Sequence, residues 1–232
     1  MFYFDPLWLL FSLPALALML WAQAKTRGAY AKYSELRNMV GMPGWQVARR
    51  ILDANGLTDV QIEEVPGELT DHYDPTSRVL RLSAGVARVP SIAAMGVAAH
   101  ETGHAIQHKQ LYAPLIARSR LVGPANIGSN IGVYAAMIGL MIQSAGLVWV
   151  GVALFSFAAI FALVTLPVEF DASKRAMAQL QGLGLVSAED YAGARAVLNA
   201  AAWTYVAGFL SALMQLLYFV FRAMGMSNRE RD

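Results

Sequence analysis

Long apolar stretches alternate with polar ones along this chain, and the spacing of the two kinds of position predicts most of its elements. Residues 7–22, 121–142, 147–166 and 203–221 contain no charged side chain. The second and third are each about 20 residues long, enough to cross roughly 30 Å of hydrocarbon as helix. Only Gln143-Ser144-Ala145-Gly146 separates them, so together they predict a membrane hairpin. The small pair Gly128 and Gly132, with Asn126, Ser129 and Asn130, suits close packing and interhelical hydrogen bonds. In the polar sequence, Pro43-Gly44-Trp45 opens a helix that Asn55-Gly56 closes. Val60-Gln61-Ile62-Glu63 and Val79-Leu80-Arg81-Leu82 have strand length and pattern, with Pro66-Gly67, Asp71 and Asp74-Pro75 as turn signals between them. A small sheet is therefore expected, with 79–82 as an edge strand able to pair with an extended substrate. Ser91 caps a helix through Ile92, Met95 and Val97 into His100 and His104. After Pro167 a helical segment carries Lys174 and Arg175 and ends near Gly182 or Gly184. Ser187 starts another, with Asp190 at the capping-box position, and this one runs through Ala200 into the last apolar stretch. The polar tail 227–232 is expected to be mobile.

Composition adds the solvent. Of the 232 residues 56% are hydrophobic and 15% charged, with a mean hydropathy of +0.43. These values place the chain among membrane proteins. The fold class expected is a mainly α membrane protein with about four transmembrane helices and a cytoplasmic α+β catalytic region. The formal charge is +2 with no dense basic block, which argues against a nucleic-acid partner. Twelve of the eighteen basic residues fall between Lys25 and Arg120, while none precedes the first apolar run. That order predicts an uncleaved anchor with its N-terminus outside and the next segment in the cytoplasm. The expected organisation is an anchor (1–22), a cytoplasmic catalytic region (23–120), a transmembrane hairpin (121–166), a cytoplasmic helical segment (167–201) and a C-terminal span with its tail (202–232). The expected location is the cell inner membrane, multi-pass, with the site facing the cytoplasm.

The chemistry is concentrated in His100-Glu101-Thr102-Gly103-His104. Imidazoles four residues apart on a helix project about 40° apart, one turn above the other, so both reach one ion. Glu101 lies near the same face, able to handle a proton without taking a coordination position. A surface turn with two unrelated histidines is the competing reading. The chain has no cysteine, which excludes disulfides, thiol catalysis and sulfur ligands and leaves imidazole and carboxylate for any metal. A catalytic zinc needs a third protein ligand. After His104 the acids are Glu169, Asp171, Glu189, Asp190, Glu230 and Asp232. The last two are in the tail, and Glu189 and Asp190 suit the first turn of a helix. Glu169 stands at the end of an apolar run, where an unpaired carboxylate is costly, so a metal partner accounts for its position. Pairing with Lys174 or Arg175 is the alternative. Two crossings between His104 and Glu169 would return both to the same side of a bilayer.

Asp71-His72-Tyr73-Asp74-Pro75, Leu80-Arg81-Leu82-Ser83, the stretch from Gly96 to Ala105 and Pro167-Val168-Glu169-Phe170-Asp171-Ala172-Ser173 resemble the YugP family of bacterial membrane zinc metallopeptidases. The resemblance extends to the leading Phe4-Asp5-Pro6 and is more distant to HtpX-type and CAAX prenyl endopeptidases. It implies a zincin-like catalytic region, one Zn2+ per chain, and Glu169 as third ligand. Those distant relatives tend to carry Asp four residues beyond the ligand glutamate, where it orients a zinc histidine; here Ser173 stands, able to accept an imidazole hydrogen bond but without charge.

The expected activity is hydrolysis of peptide bonds in membrane-associated or misfolded proteins, with His100, His104 and Glu169 on zinc and Glu101 as base. His72, Tyr73, His108 and Arg175 are candidates for stabilising an oxyanion, with Asp171 and Ser173 as candidates for supporting a ligand. His108, one turn beyond His104, is also a conceivable fourth ligand, though a filled fourth position would exclude water. A scaffold or chaperone-like protein with a structural metal site is the alternative, which Glu101 argues against. Expected partners are a peptide or protein substrate and the lipid bilayer, with a membrane protein or a second copy of the chain left open.

Overall fold

The computed structural model describes residues 5–229. Within them α1 (Pro6–Ser34), α2 (Gly44–Ala54), β1 (Gln61–Val65), β2 (His72–Asp74), β3 (Val79–Ser83), α3 (Ala84–Arg88) and α4 (Ile92–Lys109) are followed by α5 (Ala113–Ile127), a π-helical turn (Gly128–Gly132), α6 (Val133–Met141), α7 (Ala145–Gly182) and α8 (Ala188–Arg229). The chain divides into two compact units. One comprises Met1–Ala22, Ile116–Leu166 and Thr204–Asp232; the other comprises Gln23–Leu115 and Pro167–Trp203.

Among the described residues three helices are long and apolar enough to cross a membrane: α1, α7 and α8. Many of their large apolar side chains, Leu10, Leu13, Leu16, Val150 and Leu163 among them, are exposed, as suits contact with lipid. The predicted span at 121–142 is helical but divided between α5, the π turn and α6, so no single helix there reaches spanning length. Small residues bring this segment against α7: an added Cβ at Gly128 would lie 2.1 Å from the Leu154 carbonyl oxygen, and one at Gly132 2.7 Å from the Phe155 nitrogen. Among the described residues the expected interhelical hydrogen bonds of Ser129 and Asn130 do not form. Ser129 and Asn130 instead donate to the Asn126 carbonyl within their own segment, at 3.2 and 2.7 Å. Of the polar tail, Ser227 and Asn228 continue α8, and Ser227 Oγ accepts from Trp149 Nε1 at 3.3 Å. Glu230, Arg231 and Asp232, like Phe4, lie outside the described residues.

In the second unit the core joins Val47, Ile51 and Leu52 of α2, Leu80 and Leu82 of β3, Met95 and Ala99 of α4, and Met177 and Leu180 of α7. The sheet order is β1-β3-β2, with β1 parallel and β2 antiparallel to β3. Residues 79–82 thus form the central strand rather than an edge, and its near-continuous burial reflects neighbours on both sides. Edges are β1 and β2. Arg81 bridges Glu63 and Asp74 on the flanking strands, each at 3.2 Å. The caps follow the residue chemistry. Ser91 Oγ accepts from the Ala94 N–H at 3.1 Å, Ser187 and Asp190 close a reciprocal capping box at 3.0 and 3.1 Å, and Gly56 at φ +62° ends α2. Asp190 also accepts from the Met39 N–H at 3.1 Å, so it is more than a first-turn acid.

α4 is buried along nearly its whole length, which its run of alanines and glycines permits. Gly96 meets Ala194 of α8, and Gly103 meets the Ala172 backbone of α7, where a Cβ would lie 2.5 Å from the carbonyl oxygen. α7 does not break at Pro167 but runs through it, carrying Glu169 two residues beyond.

Candidate metal centre

The close approach of α4 and α7 sets the geometry of the centre. His100 and His104 stand on α4 with ring centroids 4.8 Å apart and nearly perpendicular planes. Glu169 Oε2 on α7 lies 3.2 Å from His100 Nε2 and 3.6 Å from His104 Nε2. One donor atom from each of the three side chains falls within 4.8 Å of the others. Donors held about 2.0–2.2 Å from a tetrahedral zinc stand roughly 3.3–3.6 Å from one another, so the two imidazole–carboxylate distances fit one ion. Two nitrogens and one oxygen, with no sulfur, are a donor set zinc accepts. Glu169 and His104 are buried and His100 nearly so.

The electrostatics favour positive charge at this point. Burial by itself would push the His104 imidazole pKa down, but hydrogen bonding to Glu169 and the charges of Glu101 and Glu169 outweigh it and hold the pKa above its ordinary value. Glu101 is buried on α4 and its side chain has no hydrogen bond or ion pair among the described residues.

The remaining nitrogen of each histidine is also engaged. His100 Nδ1 lies 3.1 Å from Ser173 Oγ, so serine occupies the supporting position, without a charge. His104 Nδ1 lies 3.1 Å from Oε1 of Gln107, a residue the sequence reading missed. Its signal was present: three residues beyond His104, it shares that face of α4. Gln107 is fully buried and donates to the Val168 carbonyl and to Asp171 Oδ2, each at 2.8 Å.

Asp171 therefore reaches the centre through Gln107, and it also accepts from Arg175. Arg175 donates to Asp171 and Gln110 and lies over the Tyr112 ring at 5.5 Å. Tyr73 Oη on β2 lies 2.9 Å from His108 Nδ1 on α4. His108 is outside the three-residue donor cluster. His72 is exposed on β2, its Nδ1 2.8 Å from the Thr70 carbonyl oxygen, and it too is outside the cluster.

A family model described as "Putative neutral zinc metallopeptidase" matches residues 8–224. The "Putative membrane protease YugP" of Bacillus subtilis (strain 168) is 44% identical over 214 residues, covering 92% of this chain and 95% of that protein. No solved structure matches the chain.

Proposed function

Since the chain belongs to the neutral zinc metallopeptidase family, we propose that it is a membrane-embedded zinc endopeptidase acting on membrane-associated or misfolded proteins. His100, His104 and Glu169 are the residues that would hold the ion. Zinc bound there supplies Lewis acidity, which polarises a peptide carbonyl and makes water a nucleophile at neutral pH. Glu101 takes the proton of the attacking water on its carboxylate and passes it to the leaving amine. Ser173 and Gln107 hold the two imidazoles, and Asp171 and Arg175 brace Gln107 from behind. Burial of Glu169 and His104 keeps bulk water from competing for the donors. Of the oxyanion candidates, Tyr73 and His108 form one hydrogen-bonded pair beside α4, whereas Arg175 is committed elsewhere. The strand next to α4 with an unpaired edge among the described residues is β2, which takes the substrate-pairing role expected of β3.

The observation that carries this reading is the convergence of both histidines on one oxygen of Glu169, with Glu101 close enough for its charge to act on His104. The same convergence supports four spans. His104 and Glu169 must lie on one side of a bilayer, so if 147–166 crosses it, 121–142 crosses as well. The clustering of basic residues between Lys25 and Arg120 then favours a cytoplasmic site in the inner membrane, with the N-terminus outside. A scaffold with a structural metal has no use for a free carboxylate at Glu101, and the enzymatic reading is preferred for that reason.

The test is purified protein and its Glu101→Gln variant. Both should carry about one zinc per chain, and the variant should lose at least ~10²-fold in cleavage of an unfolded membrane substrate. Equal cleavage by the two proteins would remove the enzymatic reading.

A further inference from the structure

The hydrogen bonds behind His104 have a direction that is dictated from their far end. Gln107 places Nε2 2.8 Å from the Val168 carbonyl oxygen and 2.8 Å from Asp171 Oδ2. A carbonyl and a carboxylate paired with Arg175 are both acceptors, so the two N–H bonds of the amide are committed to them. Turning the amide over would set its oxygen against two acceptors and lose both of these hydrogen bonds. The oxygen therefore faces His104 Nδ1, 3.1 Å away, and a carbonyl oxygen can only accept. It follows that Nδ1 carries the proton. The lone pair of the neutral ring then resides on Nε2, the atom that faces Glu169 at 3.6 Å.

We propose that Gln107 is a positioning residue for the metal centre: oriented by Val168 and Asp171, it locks His104 in the Nδ1-protonated tautomer and aims its Nε2 lone pair at the ion. This rests on the assignment of His104 as a zinc ligand. The other arm of the site lacks such a lock. Ser173 presents a hydroxyl, which donates or accepts equally well, so its bond to His100 Nδ1 at 3.1 Å is compatible with either tautomer. The two histidines thus differ in preparation, one fixed by a relay from the partly buried Arg175 and Asp171 through the buried Gln107, the other free to adjust. A supporting carboxylate is present after all, acting on the second histidine through an amide rather than directly on the first.

The full-length protein in detergent, with Gln107→Leu and Asp171→Asn variants, tests this. Zinc affinity is read by chelator competition, the Co2+-loaded absorption spectrum reports ligand geometry, and far-UV thermal unfolding reports folding. Nitrogen-15 spectra of the histidines, with the His104 signals identified by their loss in His104→Ala, report the tautomer in the metal-free protein at alkaline pH, where the ring is neutral. The wild type should show His104 protonated on Nδ1. Gln107→Leu should show a mixture, bind zinc 10–100-fold more weakly and change the Co2+ spectrum while remaining folded. Should Gln107→Leu unfold, Asp171→Asn serves in its place: the amide it introduces can turn a donor toward Gln107, the Val168 carbonyl alone then orients Gln107, and the tautomer should shift part of the way to a mixture with weaker zinc binding. A residue that mattered only for packing would lower the unfolding temperature and leave the zinc affinity, spectrum and tautomer of the folded protein unchanged, and that result overturns the proposal. Wild-type protein that binds no zinc overturns the metal site and this proposal with it. Wild type that binds zinc, with folded variants binding as tightly, overturns this proposal alone.

Discussion

At the scale of single residues, Gly103 shows how little space separates a working site from a broken one. The position between the two histidines is open in the pattern His-Glu-x-x-His, yet an added Cβ would sit 2.5 Å from the Ala172 carbonyl oxygen, next to Ser173 and three residues beyond Glu169. Gly103→Ala should force α4 and α7 apart, costing about 1–3 kcal/mol in denaturant unfolding, and should weaken zinc binding as well. Gly182→Ala, whose Cβ meets nothing within 4 Å, is the control and should be neutral or slightly stabilising. The sequence carried the histidine spacing and the lone glutamate at the end of an apolar run, and the structure brings those three side chains together. What it did not carry was the residue opposite the glycine, because a backbone-to-backbone contact leaves no signature in side-chain type. Gln107 was readable in principle from its offset to His104, but an amide has no chemistry of its own to draw notice.

Among the elements, caps and long apolar helices could be read from residue type because their causes are local: Ser91, Ser187 and Gly56 act within a turn of where they stand. The sheet was harder. β2 is only three residues long, His72–Asp74, between turn-forming residues, and its existence depends on pairing with β3, which also makes β3 a central strand. Asp71, just before β2, fastens the pair by accepting from the Ser83 N–H at 2.7 Å and from the Ser83 hydroxyl at 3.1 Å. Burial raises the Asp71 pKa, and the two Ser83 hydrogen bonds offset this only in part. The folded state therefore holds this proton to a higher pH than the unfolded chain, whose carboxyl titrates near about 3.9. Stability from this group is present at low pH and is lost as pH rises through that window. Asp71→Asn keeps a carbonyl oxygen for Ser83 and removes the titration. Thermal unfolding at pH about 4 and about 7 should show the variant gaining on the wild type as pH rises. A constant offset between the two proteins would assign the burial penalty elsewhere.

For the molecule as a whole, the number of membrane crossings turns on the segment containing the π turn. Reporter fusions at 143–146 should be found outside the cell membrane, and a cytoplasmic signal there would reverse the proposed topology. The second unit has its own buried core around α4, and His100 and His104 each have a protein hydrogen-bond partner at Nδ1. Chelation should therefore leave the far-UV helical signal nearly unchanged and lower the unfolding temperature, with activity returning on adding zinc, in contrast to small domains that unfold without their metal. The donor set has one more consequence. With two imidazoles and a carboxylate at the centre and no cysteine in the chain, there is no thiolate for peroxide to oxidise or for alkylating reagents to cap. Such a donor set keeps its ligands under oxidising conditions that disable sulfur-ligated zinc.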